Sequence, residues 1–351
     1  MAVTKRLFGV NGKGKDVYLY TMTNKIGASV SVLTHGGTLQ SIIVPDRHGN
    51  LADVCLGFED MGTYLIKNGS IGAFIGRYGN RINKGIFSLD GREYHLNTNA
   101  NGNHLHGGNI GYQVRLMDAK VCEEEGADHV TMSLYSPNGE ENYPGSLDVK
   151  VTYTFDDDCN LSLYYEATTD SATVLNLTNH VYFNLAGHGA GSIADHSIKI
   201  DSDCITRIDE TVIPTGDFFP VAGTPLDLRC KKRIGDGLAD MEQCRQMVLG
   251  TGYDHNFVLR NGAAMGTCAV LEEEKTGRVM EVITDQPAVQ FYSGNHLDIK
   301  GKDGAFYSAR TGLCLETQHF PDSPNHAHFP STVLRKGEVF RSTTIYAFKT
   351  K

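Results

Sequence analysis

An all-β fold, a large antiparallel sandwich formed as one domain over residues 1–351, is what the sequence predicts, and three observations carry that expectation. Segments in which apolar and polar residues alternate dominate the chain, and a strand points successive side chains to opposite faces. Turn punctuation is dense, with 39 glycines among 351 residues, so the alternating runs are short and closely spaced. Helical periodicity is rare, which argues against a sheet built from strand–helix–strand units.

Taken in order, the elements follow from these rules. "DMGTYLI" near the start is a candidate short helix. "IFSLDGREYHL" alternates Phe87 and Leu89, breaks at Asp90-Gly91, and resumes with Tyr94 and Leu96. Asp-Gly between alternating runs is a strong hairpin signal, because both turn residues adopt positive φ. "LDVKVTYTF" sets Leu147, Val149, Val151, Tyr153 and Phe155 against Asp148, Lys150, Thr152 and Thr154. "LSLYYEA", "RVMEVIT", "AVQFYSGN", "TGLCLETQHF" and "TTIYAFK" repeat that pattern. "LNLTNHVYFNLAG" (175–187) reads as a strand whose one face is Leu175, Leu177, Asn179, Val181, Phe183 and Leu185. Its other face is a row of hydrogen-bonding groups, Asn176, Thr178, His180, Tyr182 and Asn184. "GLADMEQCRQMVL" (237–249) is a second candidate helix.

Composition narrows the function classes. A formal charge of −9 with no compact basic run speaks against a nucleic-acid or anionic-membrane partner. No stretch approaches the roughly 18 apolar residues of a membrane span, and the N-terminus carries no signal-like apolar run, so a cytoplasmic protein is expected. The eight cysteines are scattered without a C-x-x-C pair and read as reduced. "NGKGKD" and "GAGS" are turns, since no helix in a βαβ setting follows them. There is no G-x-S-x-G elbow, which leaves nucleophilic catalysis without a candidate.

Four segments place polar groups on strand-like faces. His180 sits at the centre of the row just described. In "TGLCLETQHF", Leu313 and Leu315 alternate with Cys314, Glu316 and Gln318. A carboxylate there is costly to bury without a partner, and its ordinary alternative is an edge position facing water. "QPAVQFYSGN" puts Gln290 and Tyr292 on one face. The richest segment, "GRYGNRINKG" followed by "NTNANGNHLHGGN", holds Arg77, Asn80 and Arg81, then His104 and His106. His-x-His on a strand shares a face about 7 Å apart, which invites a metal; no carboxylate follows at ligand spacing, and a loop histidine bonded to backbone is the plainer account. "TGYDHNFVL" adds Asp254 and His255 after a glycine turn, where an Asp is most often a turn residue. Gathered by sheet curvature, these groups would form a cleft of neutral hydrogen-bonders with one carboxylate–histidine pair, suited to a polyhydroxylated ligand. Glu316 and His180 would then be base and acid.

At these segments the chain resembles the aldose 1-epimerase (galactose mutarotase) family. The matching blocks, in order, are "GRYGNRINKGIFSLDGREYHL", "NHLHGG", "SPNGEENYPGSLDVKVTYT", "NLTNHVYFNLAG", "GYDHNFVL", "PAVQFYSGN" and "GLCLETQHFPDSPNH". The resemblance implies a β-supersandwich and cofactor-free, metal-free interconversion of the α and β anomers of an aldose such as galactose or glucose. It implies Glu316 as general base and His180 as general acid, with Asn80, Arg81, His106, Asp254 and Gln290 lining the sugar site. Proton removal from the C1 hydroxyl and protonation of the ring oxygen would open the ring, and rotation about C1–C2 would precede reclosure. Opposite charges on Glu316 and His180 are expected to hold each other ionised. One block departs from the family: after "LHGG" the chain reads "GYQVRLM" and contains no tryptophan.

Two competing functions differ in what they require. A hexose-6-phosphate 1-epimerase would need extra cations at the site, for which Arg77 and Arg81 are the candidates. A non-catalytic carbohydrate-binding sandwich has no use for both Glu316 and His180. The expected protein is a monomer or homodimer.

Overall fold

The computed structural model describes residues 2–66, 70–122 and 128–351. Three antiparallel sheets dominate it. The first orders the strands Ala2–Val10, Asp16–Thr23, Ser29–Leu33, Thr38–Pro45 and Leu51–Asp53. The second has nine strands, with Leu147–Phe155, Asn160–Thr169, Val339–Thr350 and Arg278–Thr284 as consecutive neighbours near its centre. The third orders Pro214–Pro220, Ser202–Ile208, Asp254–Leu259, Ala288–Tyr292 and Cys314–Gln318.

Alternation explains the packing. Along Leu147–Phe155 the apolar residues are buried, while Asp148 and Lys150 are exposed and the two threonines half-buried. Val149, Val151, Leu163, Met280 and Val282 of the nine-stranded sheet meet Val30 and Val32 of the first sheet and Phe257, Phe291 and Leu315 of the third in one core cluster. The layers are also tied by hydrogen bonds: Tyr153 Oη donates to Gly37 O (2.6 Å) and Tyr346 Oη to Leu315 O (3.1 Å). The expected sandwich is therefore a nine-stranded layer with two smaller sheets against it. The predicted hairpin forms between Ile86–Leu89 and Arg92–His95, with positive φ at Asp90 and Gly91.

Two expected elements come out differently. The helix over 237–249 is broken into Ile234–Ala239, a 3₁₀ turn at Met241–Gln243, and Arg245–Leu249, because Cys244 is extended between the last two. The strand over 175–187 is regular only at Thr178–Asn179, paired with Phe74–Ile75. The segment runs between layers, so its other backbone bonds go to separate places: Leu175 N to Thr332 O, Phe183 N to Leu313 O, Asn184 N to Val54 O. Its side-chain alternation survives, with Leu175, Leu177, Val181, Phe183 and Leu185 in the main core. The candidate helix at "DMGTYLI" is present as Met61–Ile66.

Candidate active site

The third sheet has one face in the core and the other lined with polar groups. Register builds that second face. Asn256 pairs with Gln290 and Gln290 with Glu316, while Asp254 pairs with Tyr292 and Tyr292 with Cys314. Directly opposed residues in neighbouring strands share a face. Five residues scattered between 254 and 316 are thus assembled beside Asn256 into one polar patch. Glu316 does not face water, as an edge position would allow; it is 2% exposed.

His180 reaches this patch from the crossing segment. Its backbone is fixed on both sides, N to Ala73 O (2.9 Å) and O from Gly72 N (3.0 Å). Nε2 lies 3.6 Å from Glu316 Oε1, and Nδ1 lies 3.4 Å from Cys314 Sγ. The rings of His106 and Tyr182 pack on it at 5.2 and 5.1 Å.

His106 is presented by a tight loop. It adopts φ +49°, a left-handed conformation uncommon for a residue with a Cβ. Gly107 follows at φ +80°, and a Cβ there would sit 2.0 Å from Gly76 O, so only glycine fits. The reversal separates the two histidines of His-x-His. His104 is buried between Asn97 O (2.7 Å) and Tyr143 Oη (2.5 Å), away from the site. His106 Nδ1 instead accepts Asn80 N–H (3.2 Å).

These residues floor a cavity of about 490 Å³. Of the sequence candidates, Asn80, Arg81, His106, His180, Asp254 and Glu316 line it. Arg81 donates to Asn80 Oδ1 (3.3 Å) and stands 3.9 Å from Asp254 Oδ2. Gln290 lies beneath the floor: its amide donates to Asp254 Oδ1 (2.6 Å) and its own Oε1 has no partner among the described residues. Arg77 does not belong to the site at all. It is buried, and its N–H groups go to Pro144 O, Gly145 O, Ser136 and Pro137 O. Asn176 and Asn184 of the polar row likewise bond to loop carbonyls, leaving His180 and Tyr182 to face the cavity. The departing segment after Gly108 is held by Glu141, whose carboxylate accepts Asn109 N–H and Ile110 N–H, and none of its residues lines the cavity.

The rim carries no sequence signal. Ser70, Glu210, Val212, Thr251 and His296 come from connections with no strand pattern to mark them. Other clefts of 620 and 570 Å³ exist elsewhere, but neither holds an acid–base pair.

Burial dominates the electrostatics. It raises the Glu316 carboxyl well above the usual range, with Asp254 adding to the rise and Arg81 opposing it. It lowers His180 to about 4. Burial thus works against the expected mutual ionisation, because desolvation disfavours both charges. Glu316 Oε2 is buried with no hydrogen-bond partner among the described residues.

His106, His180 and Glu316 place one donor atom each within 4.8 Å of one another, a spacing a divalent ion could bridge. The tautomer of His106 opposes this. Because Nδ1 accepts from a backbone N–H, the remaining nitrogen carries the ring hydrogen and has no lone pair to offer. The same nitrogen is a good donor to a sugar oxygen.

Fold and cavity together define the class: an antiparallel sandwich with a buried carboxyl–imidazole pair at the floor of a polar cleft. Within that class the chain belongs to the aldose 1-epimerase family, whose profile matches residues 18–347. It is 43% identical to the human galactose mutarotase over 350 residues, 99% of this chain and 98% of that protein. It is 35% identical to the aldose 1-epimerase of Escherichia coli K12 over 342 residues, 95% and 96% of the two chains. The galactose 1-epimerase structure from Lactobacillus acidophilus superimposes with a TM-score of 0.87 at 28% identity, covering 99% of each chain.

Proposed function

We propose that this chain is an aldose 1-epimerase that interconverts the α and β anomers of free aldohexoses such as galactose and glucose. The observation that carries the reading is the buried Glu316–His180 pair, 3.6 Å apart, at the floor of a cavity that also holds Asn80, Arg81, His106 and Asp254. The reaction runs from Glu316 as carboxylate and His180 as imidazolium, one proton between them. Glu316 then takes the proton of the C1 hydroxyl while His180 protonates the ring oxygen, and the C1–O5 bond breaks. Rotation about C1–C2 turns the other carbonyl face to the ring oxygen. The two transfers reverse, and the pair ends as it began. Arg81 and the free N–H of His106 stabilise charge on the sugar oxygens during transfer.

Charge in the cavity favours a neutral sugar over a sugar phosphate. Its lining carries Glu210, Asp254 and Glu316 against Arg81 as the one arginine or lysine among the described residues, and Arg77 is committed to loop carbonyls. The same reading takes the protein as one domain, supported by a core cluster that draws on residues from Tyr20 to Phe348. It takes the protein as cytoplasmic, without nucleic-acid or membrane partners; among the described residues no helix is long and apolar enough to cross a membrane.

Polarimetry on freshly dissolved α-D-galactose and α-D-glucose tests the proposal. The expected result is an optical rotation that relaxes far faster with protein than in buffer. Relaxation at the buffer rate for every free aldose tried would sink it.

A further inference from the structure

His180 has two ring nitrogens, and the acid–base chemistry uses only Nε2, which faces Glu316. The other, Nδ1, faces the sulfur of Cys314 at 3.4 Å, and both residues are buried. Cys314 stands two residues before Glu316 on the same strand, so the thiol and the carboxyl project from one sheet face about 7 Å apart. The imidazole lies between them, touching one with each nitrogen.

Counting protons fixes what the sulfur must do. As the imidazolium that serves as acid, His180 carries hydrogen on both nitrogens. Once Nε2 has given its proton to the ring oxygen, the hydrogen on Nδ1 remains. Nδ1 is a donor in both states, and the group facing it must accept. A thiol sulfur is a weak acceptor, sufficient to choose a tautomer without strongly favouring the imidazolium. A carboxylate in that place would make the imidazole more basic and its cation a poorer proton donor. Burial keeps Cys314 in its thiol form.

We propose that Cys314 is the positioning residue of the acid: its sulfur accepts the Nδ1–H of His180 and holds Nε2 toward Glu316 throughout the proton shuttle. The proposal rests on the epimerase reading for its kinetic consequence but not for the contact itself.

Nitrogen-15 NMR of histidine-labelled, full-length protein tests the contact directly, because the two neutral tautomers give separate ring-nitrogen shifts. The wild type is expected to show His180 as the Nδ1–H tautomer. Cys314→Ser, which keeps an acceptor in place, is expected to retain that tautomer and most of the turnover. Cys314→Ala is expected to give a mixture of tautomers and a kcat about tenfold lower, the size of one modest hydrogen bond, with KM unchanged. A wild-type His180 in the Nε2–H form would overturn the proposal, as would a Cys314→Ala protein with the wild-type tautomer and kcat. Should the alanine variant not fold, the wild-type and serine spectra decide alone. The tautomer is read without sugar, so a failure of the epimerase reading shows in polarimetry and leaves this test intact.

Discussion

Leu147–Phe155 and Cys314–Gln318 are both antiparallel strands with a two-residue period, and they use it for opposite ends. In the first, the apolar face enters the core and the other face carries exposed Asp148 and Lys150. In the second, all five residues are buried. Leu315 joins the main core and Cys314 a second apolar cluster beside Tyr182, while Glu316 turns to a cavity walled by His180 and His106. One strand leaves its polar face in water, where charges cost nothing. The other desolvates a carboxylate whose Oε2 has no hydrogen-bond partner among the described residues, and that is destabilising. The contrast separates the part of the molecule that holds the fold from the part that holds the chemistry.

Substitutions should therefore fall into two kinds. His180→Asn in the second region is expected to lower kcat by about 10²–10⁴-fold, the usual contribution of a general acid. Its melting temperature should stay near that of the wild type. A variant with near-normal kcat would remove His180 from the mechanism. Leu163→Ala in the nine-stranded sheet deletes a fully buried side chain and is expected to cost about 2–5 kcal/mol in denaturant unfolding. Turnover per folded molecule should not change; a matching loss of turnover would mean that core and site are not separable as described.

A smaller, graded effect comes from pH. Burial holds His104, His180, His196, His255 and His319 near a pKa of about 4, against 6.5 when unfolded. Groups with lowered folded values add stability that is present above pH 6.5 and is lost as pH falls toward about 4. Melting curves should thus shift steadily downward across that interval. A flat profile would contradict the neutral, buried state assigned to these histidines.

The same contrast explains what could be read from sequence. Alternation marked Leu147–Phe155 and its neighbours, because the burial of such strands follows their own residues. It also placed Cys314, Glu316, Gln290 and Tyr292 on polar faces, but could not decide whether those faces met water or a site. That depends on strands distant in sequence, brought into register with them, and the family blocks supplied the answer that local pattern lacked. Arg77 departs from the expected site for a related reason. It lies three residues before Asn80, yet its side chain runs inward to the carbonyls of the 136–145 loop. His104 and His106 were paired by spacing, and the positive φ at His106 parted them. Glu210, Thr251 and His296 line the cavity from irregular connections whose course no periodicity encodes.

The claim that Glu316 is a buried base, held there at a cost to the fold, is tested most directly by Glu316→Gln followed through sugar binding, polarimetry and thermal unfolding. Its raised carboxyl pKa contributes stability in full below the unfolded value of about 4.5, and that contribution is lost as pH rises. The account predicts that the glutamine variant still binds galactose or glucose in calorimetry and leaves their rotation relaxing at the buffer rate. It also predicts a melting point above that of the wild type at neutral pH, with the difference vanishing in acid. Near-normal turnover, or a variant less stable than the wild type at neutral pH, would contradict it.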